Sequence, residues 1–297
     1  MPGYFAFSRS VTVLILSHKK IFLSLGALYA VLYAILVGVG SQETYTLLGS
    51  LFEESAGGTF QDIIGTVWGV GALIATVSFS GLTENQTALQ SVFSLFLFAM
   101  LWLSVVWLAR NVLAGKKVKM RDGLYSSGAP LFATIAVFGL LMLQLIPVGV
   151  AALGYGAASA TGLISGGVEA MLFWIAAALL ATLSVYWIIS SLFAIVLVTI
   201  PGSYPLWALH ASSKLVSGRR IKIAMRLLWM LLIVAVTWVL VLLAAVLLDA
   251  LIRQLLPGVN WLPIVPIAVL LLTAWSALWA SIYIYLLYRK LVDNETK

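Results

Sequence analysis

Of the 297 residues, 63% are hydrophobic and only 9% charged, and the mean hydropathy is +1.10, far outside the roughly 45–50% apolar usage of soluble domains. This composition excludes a conventional soluble domain and points to an integral membrane protein, since most of the length lies in apolar runs of about 20 residues, each enough to cross a hydrocarbon core as a helix. The net charge of +7 sits beside those runs, a placement that suits the anionic face of a membrane and not nucleic acid, and the absence of cysteine removes disulfides, thiolate metal sites and cysteine nucleophiles.

At the N-terminus, Tyr4, Phe5, Phe7, Val11, Leu14 and Ile15 make an irregular apolar face beside Ser8, Arg9 and Ser10, the pattern of an interfacial helix leading into a first span. A cleaved signal peptide is the alternative, but the apolar run after Lys20 exceeds the roughly 7–15 residues of a signal h-region, so the segment is expected to be retained. Spanning helices are predicted near 21–40, 91–110, 131–153, 171–198, 227–248 and 264–288. Residues 63–81 are apolar enough to suggest a seventh span. They are read instead as a membrane-associated segment on the outer side, either re-entrant, with Gly65 and Gly69 allowing close helix approach, or an interfacial helix lying on the bilayer. Thr83 and Gln86 then have the spacing of a capping box that starts the second span.

With the N-terminus placed in the cytoplasm, every Lys and Arg except Arg253 falls inside, a strong positive-inside signal that puts both termini there. Were 63–81 to cross, every later basic loop would move outside. Glu43, Glu53, Glu54, Asp62, Glu84, Glu169 and Asp249 fall outside, and Asp122, Asp293 and Glu295 inside, although acidic residues contribute little to orientation. The expected fold is all-α. It is a single polytopic membrane bundle over 1–297 with six transmembrane helices, the outer re-entrant or interfacial segment, and short cytoplasmic amphipathic helices.

The chemistry of known enzyme sites is scarce. His18 and His210 are the two histidines, far apart and read as interfacial, so a histidine-based zinc site has little to build on. No GxxxxGK, GxSxG, HExxH or GxGxxG pattern occurs, which removes the usual phosphate cradle and nucleophile elbow. No charged residue lies near the middle of a predicted span, which disfavours an ion-coupled carrier. Asp249 and Arg253 are four apart at the outer end of the fifth span and read as a structural ion pair, with a substrate contact as the sharper alternative. Gln144, with Pro147 one turn later, is the strongly polar side chain inside the third span; an interhelical hydrogen bond near a proline kink is expected, and a polar element of a lipid or solute path is the alternative. Trp275, Trp279 and Tyr283 recur every four residues, a stripe suited to packing, lipid contact or docking of another membrane subunit.

The bases concentrate at two similar places, VLAGKKVKM (112–120) and LVSGRRIKI (215–223), which match in character over nine positions. They read either as two units repeated in one orientation or as convergence on a glycine followed by stop-transfer bases. Lys116, Lys117, Lys119, Arg219, Arg220 and Lys222 are the candidate contacts for anionic lipid headgroups on the cytoplasmic side. The second copy lies within ALHASSKLVSGRR (208–220), which reads A-L-x-x-S-x-x-L-V-x-G-R after Pro201–Gly202. This resembles the pattern in YciC-like six-helix inner-membrane proteins and in the membrane domain attached to some glycerophosphodiester phosphodiesterases, where a short cytoplasmic helix bears Ser and ends at Gly. Ala208, Leu209, Ser212, Leu215, Val216, Gly218 and Arg219 match motif positions. The earlier turn and the long outer segment also resemble parts of those proteins. No catalytic residue carries over, because the phosphodiesterase domain is not in this sequence.

The resemblance implies an all-helical module of the bacterial inner membrane connected with the envelope or its lipids. The expectation is a multi-pass protein without enzyme activity or cofactor, acting in lipid or envelope homeostasis or as a subunit of a membrane complex. Its partners are then membrane lipids and a membrane protein or second copy. A facilitator or flippase-like path for a lipid or small solute is the alternative.

Overall fold

The computed structural model describes residues 3–38, 88–161, 166–200, 202–255 and 264–295. The segment 63–81, the box at Thr83 and Gln86, Pro201 and the side chain of Arg253 lie outside the described residues. Eleven helices occur among those described, and no strand: α1 (Tyr4–Ser17), α2 (Lys19–Leu36), α3 (Ala88–Leu113), α4 (Met120–Ser126), α5 (Leu131–Leu143), α6 (Ile146–Ala160), α7 (Gly167–Ser191), α8 (Ala194–Leu197), α9 (Pro205–Val216), α10 (Arg220–Leu255) and α11 (Ile264–Glu295).

Five of these are long and apolar enough to cross a membrane: α2, α3, α7 continued through α8, α10 and α11. They match five of the six predicted spans to within a few residues at most ends. α7 and α10 leave much of their apolar surface open, with Leu172, Leu179, Leu240 and Leu247 all more than half exposed. Such helices suit hydrocarbon and not water.

The third predicted span differs. Residues 131–153 are not one helix kinked at Pro147; the chain turns at Gln144 and Leu145, and Pro147 lies in the first turn of the new helix α6. Proline is at home there, because its missing N–H belongs to the group that a helix start leaves without an intrahelical partner.

The chain forms two compact units, one of residues 1–128 and 228–286, the other of 129–227 and 287–297. In the first, α1 buries Phe7, Val11 and Ile15, spaced four apart on one helical face. Phe7 meets Tyr283 edge to face at 4.8 Å, and Trp229 Nε1 donates to Ser8 Oγ at 3.1 Å. The N-terminal helix, expected as an interfacial lead-in, is thus packed on α10 and α11. Trp279 and Tyr283, two members of the aromatic stripe, are buried and face it. Trp238, Leu242, Val265, Val269 and Leu272 form a further apolar cluster where α10 meets α11, and Trp238 Nε1 donates to Ser276 Oγ at 2.9 Å.

In the second unit, α6 and α9 pack on α7. Ala208, Ser212 and Val216 form the buried face of α9 and are fully shielded, and Ser212 Oγ donates to the Ser190 carbonyl at 2.9 Å. The break between α5 and α6 is held by the same long helix. Val148 N–H, released from helical pairing, donates to Ser184 Oγ at 3.3 Å, and Ser191 Oγ donates to Gln144 Oε1. A broken helix in an apolar surrounding persists when a neighbour supplies the missing partners in this way.

Candidate functional site

The two basic turns differ in construction. The first ends α3 with Lys116 N–H on the Asn111 carbonyl at 3.1 Å and Gly115 N–H on the Val112 carbonyl at 3.0 Å, with Gly115 at φ 73°. This is the paired bonding of a Schellman cap, and its left-handed residue favours glycine. Lys119 N–H then donates to the Asp122 carboxylate at 2.9 Å, so the lone acid among these bases starts α4. α4 folds back onto α3, with Gly123 against Leu108 and the Ser104 and Ser127 hydroxyls bonded at 3.1 Å. Lys116, Lys117 and Lys119 are left exposed in the connection.

The second turn ends a short helix and starts a long one. Ser217 has φ −54° and ψ 133°, Gly218 has φ 76°, and Arg219 N–H donates to the Val216 carbonyl at 3.0 Å, the geometry of a type II turn. The sequence match therefore joins two unlike structures, each in its own compact unit. Both glycines are required for a left-handed residue, but one closes a spanning-length helix and the other opens one. Lys222 is exposed and Arg219 half-buried.

Arg220 does something else. Its guanidinium lies over the Tyr186 ring, with Cζ 4.3 Å from the centroid, and Nη1 donates to the Tyr186 hydroxyl. It thereby forms one side of a cleft in the second unit with a volume of about 400 Å³, bounded by the α5–α6 turn, α7 and α9. Gln144, Ser190, Ser191, Ser213 and His210 supply its polar surface, and among the described residues no carboxylate lines it. A smaller groove of about 280 Å³ in the first unit, between α1, α10 and α11, is mainly apolar. Its hydroxyls at Ser8, Thr12 and Ser276 already accept indole N–H groups.

The sequence-selected residues thus separate into groups. Gln144 and Arg220 share the cleft; Lys116, Lys117 and Lys119 belong to the other unit; Asp249 is buried on α10. Of the motif positions, Ala208, Ser212 and Val216 are the α9 packing face and Gly218 its turn, so these residue types are explained by folding. Sequence reasoning missed Tyr186, Ser190, Ser191 and Ser213. The signal for the first three was a run of polar side chains at the end of a span that is otherwise apolar. Among the described residues, no group of three His, Asp or Glu side chains could hold a metal ion.

Comparison with known proteins gives no matching family model, no matching curated sequence and no matching solved structure.

Proposed function

We propose that the chain is a six-span protein of the bacterial inner membrane, with both termini cytoplasmic, that acts without enzyme chemistry in lipid or envelope homeostasis by engaging anionic lipid headgroups at its basic edge. In this reading α5 and α6 together make the sixth crossing, and the placement agrees with the resemblance to YciC-like proteins. The observation that carries it is the construction of the two turns: in each, a glycine in the left-handed region ends a helix beside apolar chain and is followed within five residues by three or more bases. Juxtamembrane bases gain about 1 kcal/mol each near an anionic leaflet.

Two measurements test it. Single cysteines at Ser55, Ser126, Ser217 and Asn260 of this cysteine-free chain should label with an impermeant reagent on intact spheroplasts only at positions 55 and 260; labelling at 126 or 217 overturns the topology. Replacing Lys116, Lys117 and Lys119 by Gln should lower the anionic lipid retained in native mass spectrometry, and unchanged retention removes that turn from the reading.

A second reading, a facilitator for a lipid or small solute, is favoured by the helix break at Gln144–Leu145 beside a polar cleft, since discontinuous helices build the binding sites of many carriers. It requires that the reconstituted protein speed transbilayer movement of a fluorescent phosphatidylglycerol.

A further inference from the structure

We infer that the cleft of the second unit is a binding site for a phosphate ester, with Arg220 as its anchor. This rests on the reading that the basic edge meets anionic headgroups, and narrows it from a charged surface to one shaped site.

Arg220 is positioned before any ligand arrives. A base that serves only topology needs charge in any orientation, whereas this guanidinium is stacked on Tyr186 and tied to its hydroxyl through Nη1. Holding a long side chain in place removes an ordering cost that binding would otherwise carry. The tie also leaves the opposite edge, Nε and Nη2, as the two parallel donors that match a phosphate or carboxylate. Nε is buried without a hydrogen-bond partner, although buried donors in folded proteins are nearly always matched. A phosphate oxygen at this edge supplies the acceptor, and a second oxygen meets Nη2.

The rest of the lining has the same character. Ser191 Oγ shares its proton between Gln144 Oε1 and the Trp187 carbonyl at 2.8 Å, and with its oxygen on that side the Gln144 amide presents its NH₂ as a donor. Ser190 Oγ is committed to the Tyr186 carbonyl at 2.8 Å, so the donors left to a ligand are the Gln144 amide, the Ser213 hydroxyl and His210. Among the described residues, no carboxylate lines the cleft to repel an anion or to compete for Arg220. Leu206, Leu209 and Trp187 complete the lining and give a carbon skeleton an apolar surface, so an organic phosphate fits better than the bare ion. A glycerol phosphate unit has this chemistry, either as the headgroup of an anionic lipid or as a free ester.

The test uses the full chain in detergent with two probes: phosphatidylglycerol, read as bound lipid in native mass spectrometry, and soluble glycerol 3-phosphate, read by calorimetry. Arg220→Lys keeps the charge but loses the paired edge, and Gln144→Glu places a carboxylate in the cleft while still accepting from Ser191. Each is expected to weaken binding about tenfold, the first by losing a charge-assisted hydrogen bond and the second by setting a negative charge beside the ligand. Ser213→Ala, at a half-buried residue with little structural role, weakens it less and decides the matter if Gln144→Glu folds poorly. Replacing Lys116, Lys117 and Lys119 by Gln removes only lipid held at the first turn, and leaves glycerol 3-phosphate binding and the Arg220-sensitive share of the bound lipid unchanged. If only the lipid binds with this sensitivity, the ligand is a headgroup; if glycerol 3-phosphate does, it is a soluble ester. Wild-type binding of both probes by Arg220→Lys and Ser213→Ala overturns the cleft. In that event, loss of lipid in the triple Gln variant keeps the charged-edge reading, and no loss ends both.

Discussion

The indole N–H of Trp279 on α11 donates to the hydroxyl of Thr12 on α1 at 3.2 Å, joining the first helix to the last across 267 residues. Trp229 makes the same kind of bond to Ser8 from α10, and its ring meets Tyr4 at a tilt and Phe5 edge to face. Indoles bury a large apolar area and carry a single donor that must be matched. Two such bonds one helical turn apart fix both the rotation and the depth of α1.

Thr12→Val therefore keeps the shape of the side chain but leaves the Trp279 donor without its acceptor. A loss of about 1–3 kcal/mol is expected, the penalty of an unmatched buried donor, read as an earlier unfolding transition in detergent. Trp279→Phe removes donor and contact area together, so the double variant should cost less than the two singles combined. Additive losses would show that the bond contributes nothing beyond packing.

The two turn glycines give a separate prediction. A Cβ at Gly115 or Gly218 meets nothing within 4 Å, so alanine there costs only the left-handed backbone, about 1–2 kcal/mol, and asparagine costs less. Gly128, equally open but without a positive φ, is the control and should tolerate alanine. Equal stability of Gly218→Ala and Gly128→Ala variants would mean that the type II turn is not needed to start α10.

Long helices were legible in the sequence because apolar run length alone sets them, and the buried spacing of Phe7, Val11 and Ile15 was visible as a face. What covers that face was not, since it depends on Trp229 and Trp279 arriving from more than 200 residues away. The break at Gln144 was hidden for a related reason: Pro147 marks a disturbance, but where the helix ends depends on serines of α7. The basic turns could be read as turns, yet nothing in their pattern separates Arg220, stacked on Tyr186, from exposed Lys222. The candidate cleft stayed out of sight because tyrosine, serine and glutamine are ordinary at a helix end, and only the fold back of α9 onto α7 gathers them.

Gly123 serves close approach and not conformation. A Cβ there would lie 2.7 Å from Leu108 Cγ, with both Leu108 methyls within 3.0 Å, so alanine must push α4 off α3 or force Leu108 from its rotamer. Overpacking of this kind costs about 1–3 kcal/mol. Leu108→Ala opens space for the added methyl, so the pair of substitutions should be less harmful than their sum in a denaturation series. Strict additivity would place the two residues out of contact.

Ser184 and Ser191 lie seven residues apart on α7, two turns along one face, and hold the α5–α6 break on both sides through Val148 N–H and Gln144 Oε1. Removing either hydroxyl leaves a polar group of the break without its partner where water is scarce. Hydrogen bonds between membrane helices are worth about 0.6 kcal/mol on average and up to about 1.7. Ser184→Ala should fall toward the upper end, because a released backbone N–H has no rotamer by which to seek another acceptor. Ser191→Ala should be milder, since the Gln144 amide can turn toward the open cleft. Thr182→Val is the internal control: its hydroxyl is exposed and among the described residues bonds to the Ala178 carbonyl of its own helix, so its loss should be nearly neutral. Unfolding of the three variants under one detergent condition ranks them. If Ser184→Ala is as mild as Thr182→Val, the break is maintained by Pro147 alone and α7 merely lies beside it.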